Sequence, residues 1–187
     1  IALFFKFMGM LAGYVFALSV SRMMGADEWG AFSLCFSLIS FGIIPAKFGL
    51  DTATLKLVAN YNALDNQGKG AAVYFTAAAM LGVTVLLFST VAYFLFPVIT
   101  TSLFDKEYLA EYFRIGAFAI FPMAITMFNA AYLRSIKKIG EYSFYSQVAK
   151  YLFPILIFWI FILFQGEVIG HTSIVIFVVG SYGVAVL

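Results

Sequence analysis

The sequence predicts an all-α membrane protein, a six-helix transmembrane bundle. Three observations predict it. The 187 residues are 64% hydrophobic and 11% charged, whereas ordinary globular domains carry roughly 25% charged residues. There are 23 Phe and 11 Tyr, which suit lipid-facing and interfacial positions. The apolar residues fall into six runs close to the ~20 residues that a spanning helix needs. The turns between them are short, which makes successive helices antiparallel neighbours.

The first run covers residues 2–24 and holds Gly9-x-x-x-Gly13, a spacing that lets helices approach closely. Lys6 stands one turn from its start, within snorkelling reach of lipid headgroups. The second covers 29–50 with a polar extension to 62, and carries Gly42, Pro45 and Gly49. Proline removes a backbone donor and kinks a helix. The third covers 71–97, with Pro97 as its end. The fourth, 112–133, contains Pro122, and the fifth, 145–164, contains Pro154. The sixth covers 172–187. Pro45, Pro122 and Pro154 are the hinge candidates, a static kink being the plainer reading of the last two. The chain starts at Ile1 and stops at Leu187 inside apolar runs, so 1–187 reads as one transmembrane domain cut from a longer protein. The first run is too long and unbroken for a cleaved signal peptide.

Orientation follows from the eleven Lys and Arg, which concentrate on the cytoplasmic side of membrane proteins. One side carries Lys6, Lys47, Lys56, Lys69, Arg134, Lys137, Lys138 and Lys150. The other carries Arg22, Lys106 and Arg114, with Asp105, Glu107, Glu111 and Glu167. The first side is therefore cytoplasmic, with the N-terminus inside, in a cell (inner or plasma) membrane. Residues 62–70 and 134–142 are expected in the cytoplasm, and 102–111 and 165–171 outside. In a Cys35→Ser background on intact cells, an impermeant thiol reagent should label Lys106→Cys and spare Lys137→Cys. The reverse pattern would overturn the orientation.

Enzymatic chemistry finds little support. The single histidine, His171, stands in a loop beside glycine, and Cys35 stands alone on an apolar helix, ruling out an intramolecular disulfide. No His, Cys or carboxylate spacing suits a metal. No glycine-rich loop follows a strand to cradle a nucleotide, and no cofactor is expected. The net charge of +2 is too small to imply a nucleic-acid partner. Membrane lipids are the expected surroundings, and the basic loop 134–142 would attract anionic headgroups.

The membrane-proximal charges say more, because ionisable groups within spans are costly unless they face protein or water. Lys47 and Asp51 are four apart, share a helix face and can pair. Seventeen residues separate Gly30 from Lys47, roughly 25 Å at the helical rise, which puts Lys47 near the cytoplasmic boundary of the hydrocarbon. Lys47 with Lys56 reads as a basic patch at the mouth of a cavity, against the plainer reading of a snorkelling lysine beside an aspartate. Arg22 closes the first helix, as an interfacial anchor or as an anion contact, since a guanidinium matches phosphate oxygens in a fork. Arg22, Lys47, Asp51 and Lys56 are thus the candidate substrate-binding residues.

The pattern Arg22-x-x-Gly25-x-x-Glu28-Trp29-Gly30, then an apolar helix, then Phe48-Gly49-Leu50 and an extension ending Ala59-Asn60-Tyr61, resembles the N-terminal part of the polysaccharide biosynthesis transporters. These are the O-antigen and lipid-linked-oligosaccharide flippases of the MOP superfamily, which also holds multidrug and toxin extrusion exporters. The motif similarity covers about residues 12–61. The chain departs from the pattern at Lys56, where arginine is frequent, and at Lys47, where lysine is unusual. The resemblance implies that this chain is the first lobe of a two-lobed bundle working by alternating access. It implies a substrate, an undecaprenyl-diphosphate-linked oligosaccharide used for lipopolysaccharide or other polysaccharide, and further polysaccharide assembly proteins as partners. Two other readings stand beside it: an ion-coupled exporter of small cations, which calls for a buried carboxylate, and a membrane-embedded transferase or assembly subunit, which calls for clustered catalytic residues at one membrane face.

Overall fold

A computed structural model describes residues 2–104, 107–165 and 172–186. Asp105, Lys106, Glu167, His171 and Leu187 lie outside the described residues, as does most of the external turn expected at 165–171. The described chain is an all-α membrane bundle. Five helical stretches are long and apolar enough to cross a membrane: Ala2–Met23, Ala26–Ala46, Gly68–Ser102, Leu109–Ser135 and Ile139–Leu163. The sixth run forms a shorter apolar helix, Thr172–Ala185.

Helix α1 (Ala2–Met24) has apolar residues all round, the pattern of a segment with lipid or packed protein on every side. Its seam of small residues sets how closely it packs. A Cβ on Gly9 would stand 2.5 Å from the Gln147 carbonyl oxygen, and one on Gly13 would stand 3.4 Å from the Tyr151 ring. Only glycine lets α1 lie this near the backbone at Gln147.

Helix α2 (Ala26–Ala46) starts after Gly25 and ends one residue beyond Pro45. The sequence suggested a continuous helix with an extension from 29 to 62. The chain instead turns at 47–49, where Phe48 and Gly49 both take positive φ, 47° and 72°. Two successive left-handed residues cannot continue a right-handed helix, and glycine bears that conformation at no steric cost. Helix α3 (Leu50–Ala63) then starts on a new axis and packs between α4 and α6.

Helix α4 (Gln67–Phe104) runs through Pro97, which does not end it. One missing donor is a local loss, and the hydroxyls of Thr100 and Thr101 accompany it by donating to the carbonyls of Phe96 and Pro97. The expected fourth helix is divided. Helix α5 (Glu107–Gly116) passes through a 3-10 turn, Ala117–Ala119, into α6 (Ile120–Ser135). Pro122 lies in the first turn of α6, where its lack of an N–H costs little. The fifth begins earlier than the apolar run suggested, as α7 (Ile139–Ser143), and widens into a π turn, Phe144–Ala149, before α8 (Lys150–Gln165). Pro154 lies inside α8, four residues past Lys150. Helix α9 (Thr172–Val186) closes the bundle against α8 and α6.

The core is aromatic at its centre. Phe32 packs edge-on to Phe16 and Phe177, with centroids 5.3 Å apart in both pairs, and so ties α1, α2 and α9 together. At the end of the bundle where α2 begins, Ser173 donates to Glu28 Oε1 at 2.9 Å and shares a short hydrogen bond with the buried Tyr112 hydroxyl. Glu28 thus clasps α2 to α5 and α9. Large apolar side chains such as Leu3, Phe41 and Phe75 point outward at 70% exposure or more, as lipid-facing residues do.

Candidate functional site

Near the end of the bundle that carries the turns at 64–66 and 136–138, a cavity of about 620 Å³ opens between α2, α3, α6, α8 and α9. Its inner wall is apolar, from Phe36, Ile43, Met123 and Phe177. Its charged residues come from four separate stretches. The α2–α3 turn contributes Lys47 and α3 contributes Asp51. The C-terminal turn of α6 contributes Arg134 and the first residue of α8 contributes Lys150.

Lys47 Nζ donates to Asp51 Oδ2 at 2.7 Å, with both side chains mostly buried. The pairing foreseen from the spacing therefore forms, although not along one helix. The 47–49 turn places Lys47 just before α3, and Asp51 sits in the first turn of α3, where a carboxylate also favours the helix N-terminus. Lys150 Nζ lies 4.8 Å from the Tyr151 ring centroid and Arg134 Cζ 5.9 Å from the Tyr142 ring centroid. No carboxylate pairs with either cation among the described ion pairs. The cavity therefore holds three cationic side chains against one carboxylate.

Polar side chains complete it. Ser40, Thr126 and Ser181 line the walls, their hydroxyls donating to carbonyls within their own helices. Ser146 differs. Its hydroxyl is buried in the π turn, lines the cavity, and has no hydrogen-bond partner in the protein. A buried hydroxyl without a partner is uncommon and marks a site for water or ligand. The π turn is the local cause, since the added residue re-aims side chains: Ser146, Gln147 and Lys150 all reach one wall.

Of the four residues proposed from the sequence, Lys47 and Asp51 line this cavity. Arg22 and Lys56 do not. Arg22 is exposed in the last turn of α1, and Lys56 is exposed on α3. Pro45 stands exposed at the α2–α3 break, Pro122 is buried at the start of α6, and Pro154 packs its ring against α9 at Gly180. Sequence reasoning missed Arg134, Lys150 and Ser146. Arg134 was read as part of a basic loop that sets topology and attracts lipid headgroups, not as a cavity residue. Lys150 had a usable signal, being a charge inside an apolar run.

A protein-family model described as MatE matches residues 2–160. No curated protein and no solved structure matches the chain.

Proposed function

The chain belongs to the MatE family of MOP-superfamily membrane transporters, and from that premise we propose that it is a flippase lobe. Its substrate on this reading is a lipid-linked oligosaccharide with an undecaprenyl-diphosphate carrier, moved from the cytoplasmic to the outer leaflet by alternating access. Members of the family are transporters rather than enzymes. One observation carries the substrate choice: the cavity gathers Lys47, Arg134 and Lys150 around a single carboxylate. An excess of cations at the membrane boundary suits an anionic headgroup and opposes a cationic drug.

The other features agree. Arg134 offers a forked donor pair to phosphate oxygens, and Lys150 a mobile point charge. Ser146, Gln147 and Ser40 suit sugar hydroxyls. In this reading the basic end faces the cytoplasm, and a second lobe completes the path.

A cationic-drug exporter is the competing reading within the superfamily, and it calls for a buried carboxylate free to release a proton. Asp51 is held by Lys47, and Glu28 by Ser173. The decisive experiment reconstitutes the full-length protein into vesicles with a fluorescent lipid-diphosphate oligosaccharide, and separately with a cationic dye. The expected result is protein-dependent movement of the sugar between leaflets and no dye transport. Dye transport without sugar movement would sink the flippase.

A further inference from the structure

The break between α2 and α3 stands at the rim of the cationic cavity, and an ion pair spans it. Lys47 precedes the two left-handed residues, Phe48 and Gly49, and Asp51 follows them, yet Nζ and Oδ2 are 2.7 Å apart. Asp51 is fixed to α3 through its other oxygen, Oδ1, which accepts the Thr52 N–H at 2.9 Å. Lys47 caps the end of α2. The pair therefore ties one helix to the next across the break, and both of its side chains line the cavity.

The break needs holding. A φ of 47° is strained for phenylalanine, which carries a Cβ. Short turn bonds replace the regular ladder there: Phe48 N–H donates to the Pro45 carbonyl at 3.0 Å, and Leu50 N–H to the Lys47 carbonyl at 2.8 Å. Pro45 has no N–H, so the last turn of α2 loses a helical bond as well. The two sides of the break are held unequally. Thr54 and Val58, each 1% exposed, anchor α3 between α4 and α6. The end of α2 is looser, since Ile43 and Ala46 are buried but Phe41, Ile44 and Pro45 are exposed. Ile44 also lines the cavity.

We propose that the end of α2 is a lip on the cavity, latched to α3 by the Lys47–Asp51 pair and released when a headgroup phosphate takes Lys47 from Asp51. The inference rests on the anionic-headgroup reading of this cavity. Phosphate and Asp51 compete for the same ammonium, and Arg134 and Lys150 on the facing wall hold the anion while they do. A ligand shifts a conformational equilibrium only by binding one state better than the other. The differential contact here is Lys47, which is free for phosphate only in the released state. Once Lys47 has gone to the ligand, nothing ionic spans the strained turn, and the end of α2 shifts against the anchored α3.

The test uses the purified full-length protein with its native cysteines replaced and spin labels on Phe41→Cys and Lys56→Cys, exposed positions that do not line the cavity. Double electron–electron resonance would measure the distance between the labels on α2 and α3. Calorimetry would measure binding of farnesyl diphosphate, a short lipid diphosphate, with farnesol as the phosphate-free control. Farnesyl diphosphate should shift the distance distribution, and farnesol should not. Asp51→Asn should give the shifted distribution without ligand. Gly49→Ala should shift it too, because a Cβ there meets nothing within 4 Å yet disfavours the φ of 72°. Breaking the exposed Lys138–Glu141 pair with Glu141→Gln should leave the distribution unchanged. An unshifted Asp51→Asn protein would overturn the latch whatever the ligand does, and if that variant fails to fold, an unshifted Gly49→Ala protein does the same. Farnesyl diphosphate that binds without moving the wild-type distance would overturn the phosphate trigger, as would an equal shift with farnesol. A diphosphate that does not bind at all would instead remove the headgroup reading of the cavity, and the trigger with it.

Discussion

Replacing Lys150 with alanine should cut complementation of polysaccharide display in a flippase-deficient host by about tenfold or more, at equal protein level. Arg134→Ala and Lys47→Ala should do the same. The three residues share one cavity although 16 and 87 positions separate Lys150 from Arg134 and Arg134 from Lys47 in the chain. A hydrogen bond to a charged group contributes roughly 1.5–3 kcal/mol, and about 1.4 kcal/mol is a factor of ten. Lys150 should be the most sensitive, because it is half-buried and no carboxylate among the described residues neutralises it, whereas Asp51 already holds Lys47. Arg134→Lys should also lose activity if a forked contact to phosphate matters. Asp51→Asn is the informative partner variant. It frees Lys47, so it should bind the anionic headgroup more tightly and release it more slowly. Arg22→Ala and Lys56→Ala should behave like Lys6→Ala, since none of the three lines the cavity. If Lys150→Ala and Arg134→Ala complement as well as Lys6→Ala, the cavity is not the headgroup route. Loss confined to Arg22→Ala would move that route to the opposite end of the bundle.

A large stability effect is expected from Gly180→Ala. A Cβ there would meet the Pro154 ring at 2.7 Å from Cγ and 2.8 Å from Cδ and N. Those atoms belong to a rigid ring fixed to the backbone of α8, so neither residue has a rotamer to change. The helices α8 and α9 must move apart, and such overpacking costs about 1–3 kcal/mol. The midpoint of thermal unfolding in detergent should drop by several degrees. Gly116→Ala supplies the contrast. Its new methyl would overlap the Cys35 sulfur, a side chain that can be shortened. Cys35→Ala should therefore restore most of the loss at Gly116, and no such rescue exists at Gly180 short of removing the proline. A wild-type midpoint for Gly180→Ala would show that α8 and α9 part there at no cost.

The fold class needed only the sequence. Apolar runs near the bilayer thickness, with few charges between them, can satisfy their backbone in lipid only as helices, so the bundle was legible before any coordinate. The close approach at Gly9 and Gly13 was legible for a similar reason, since small residues four apart mark one face. The Lys47–Asp51 pair was legible because it is local, although the turn that makes it was not: the apolar pattern runs smoothly through Phe48 and Gly49, and only their backbone angles break the helix. Hydropathy was equally blind to the 3-10 turn before Pro122 and to the π turn at 144–149, since neither changes the apolar count. The candidate site is where tertiary structure decided most. Arg134 and Lys150 belong to different elements, and the sequence could place both on the cytoplasmic side but not beside each other. Their meeting with Lys47 depends on α3 turning away at Gly49 and on the extra residue of the π turn rotating Ser146 and Lys150 inward. Chain-distant charges converge through helix packing, and helix packing is written in contacts between faces rather than in any one stretch of residues.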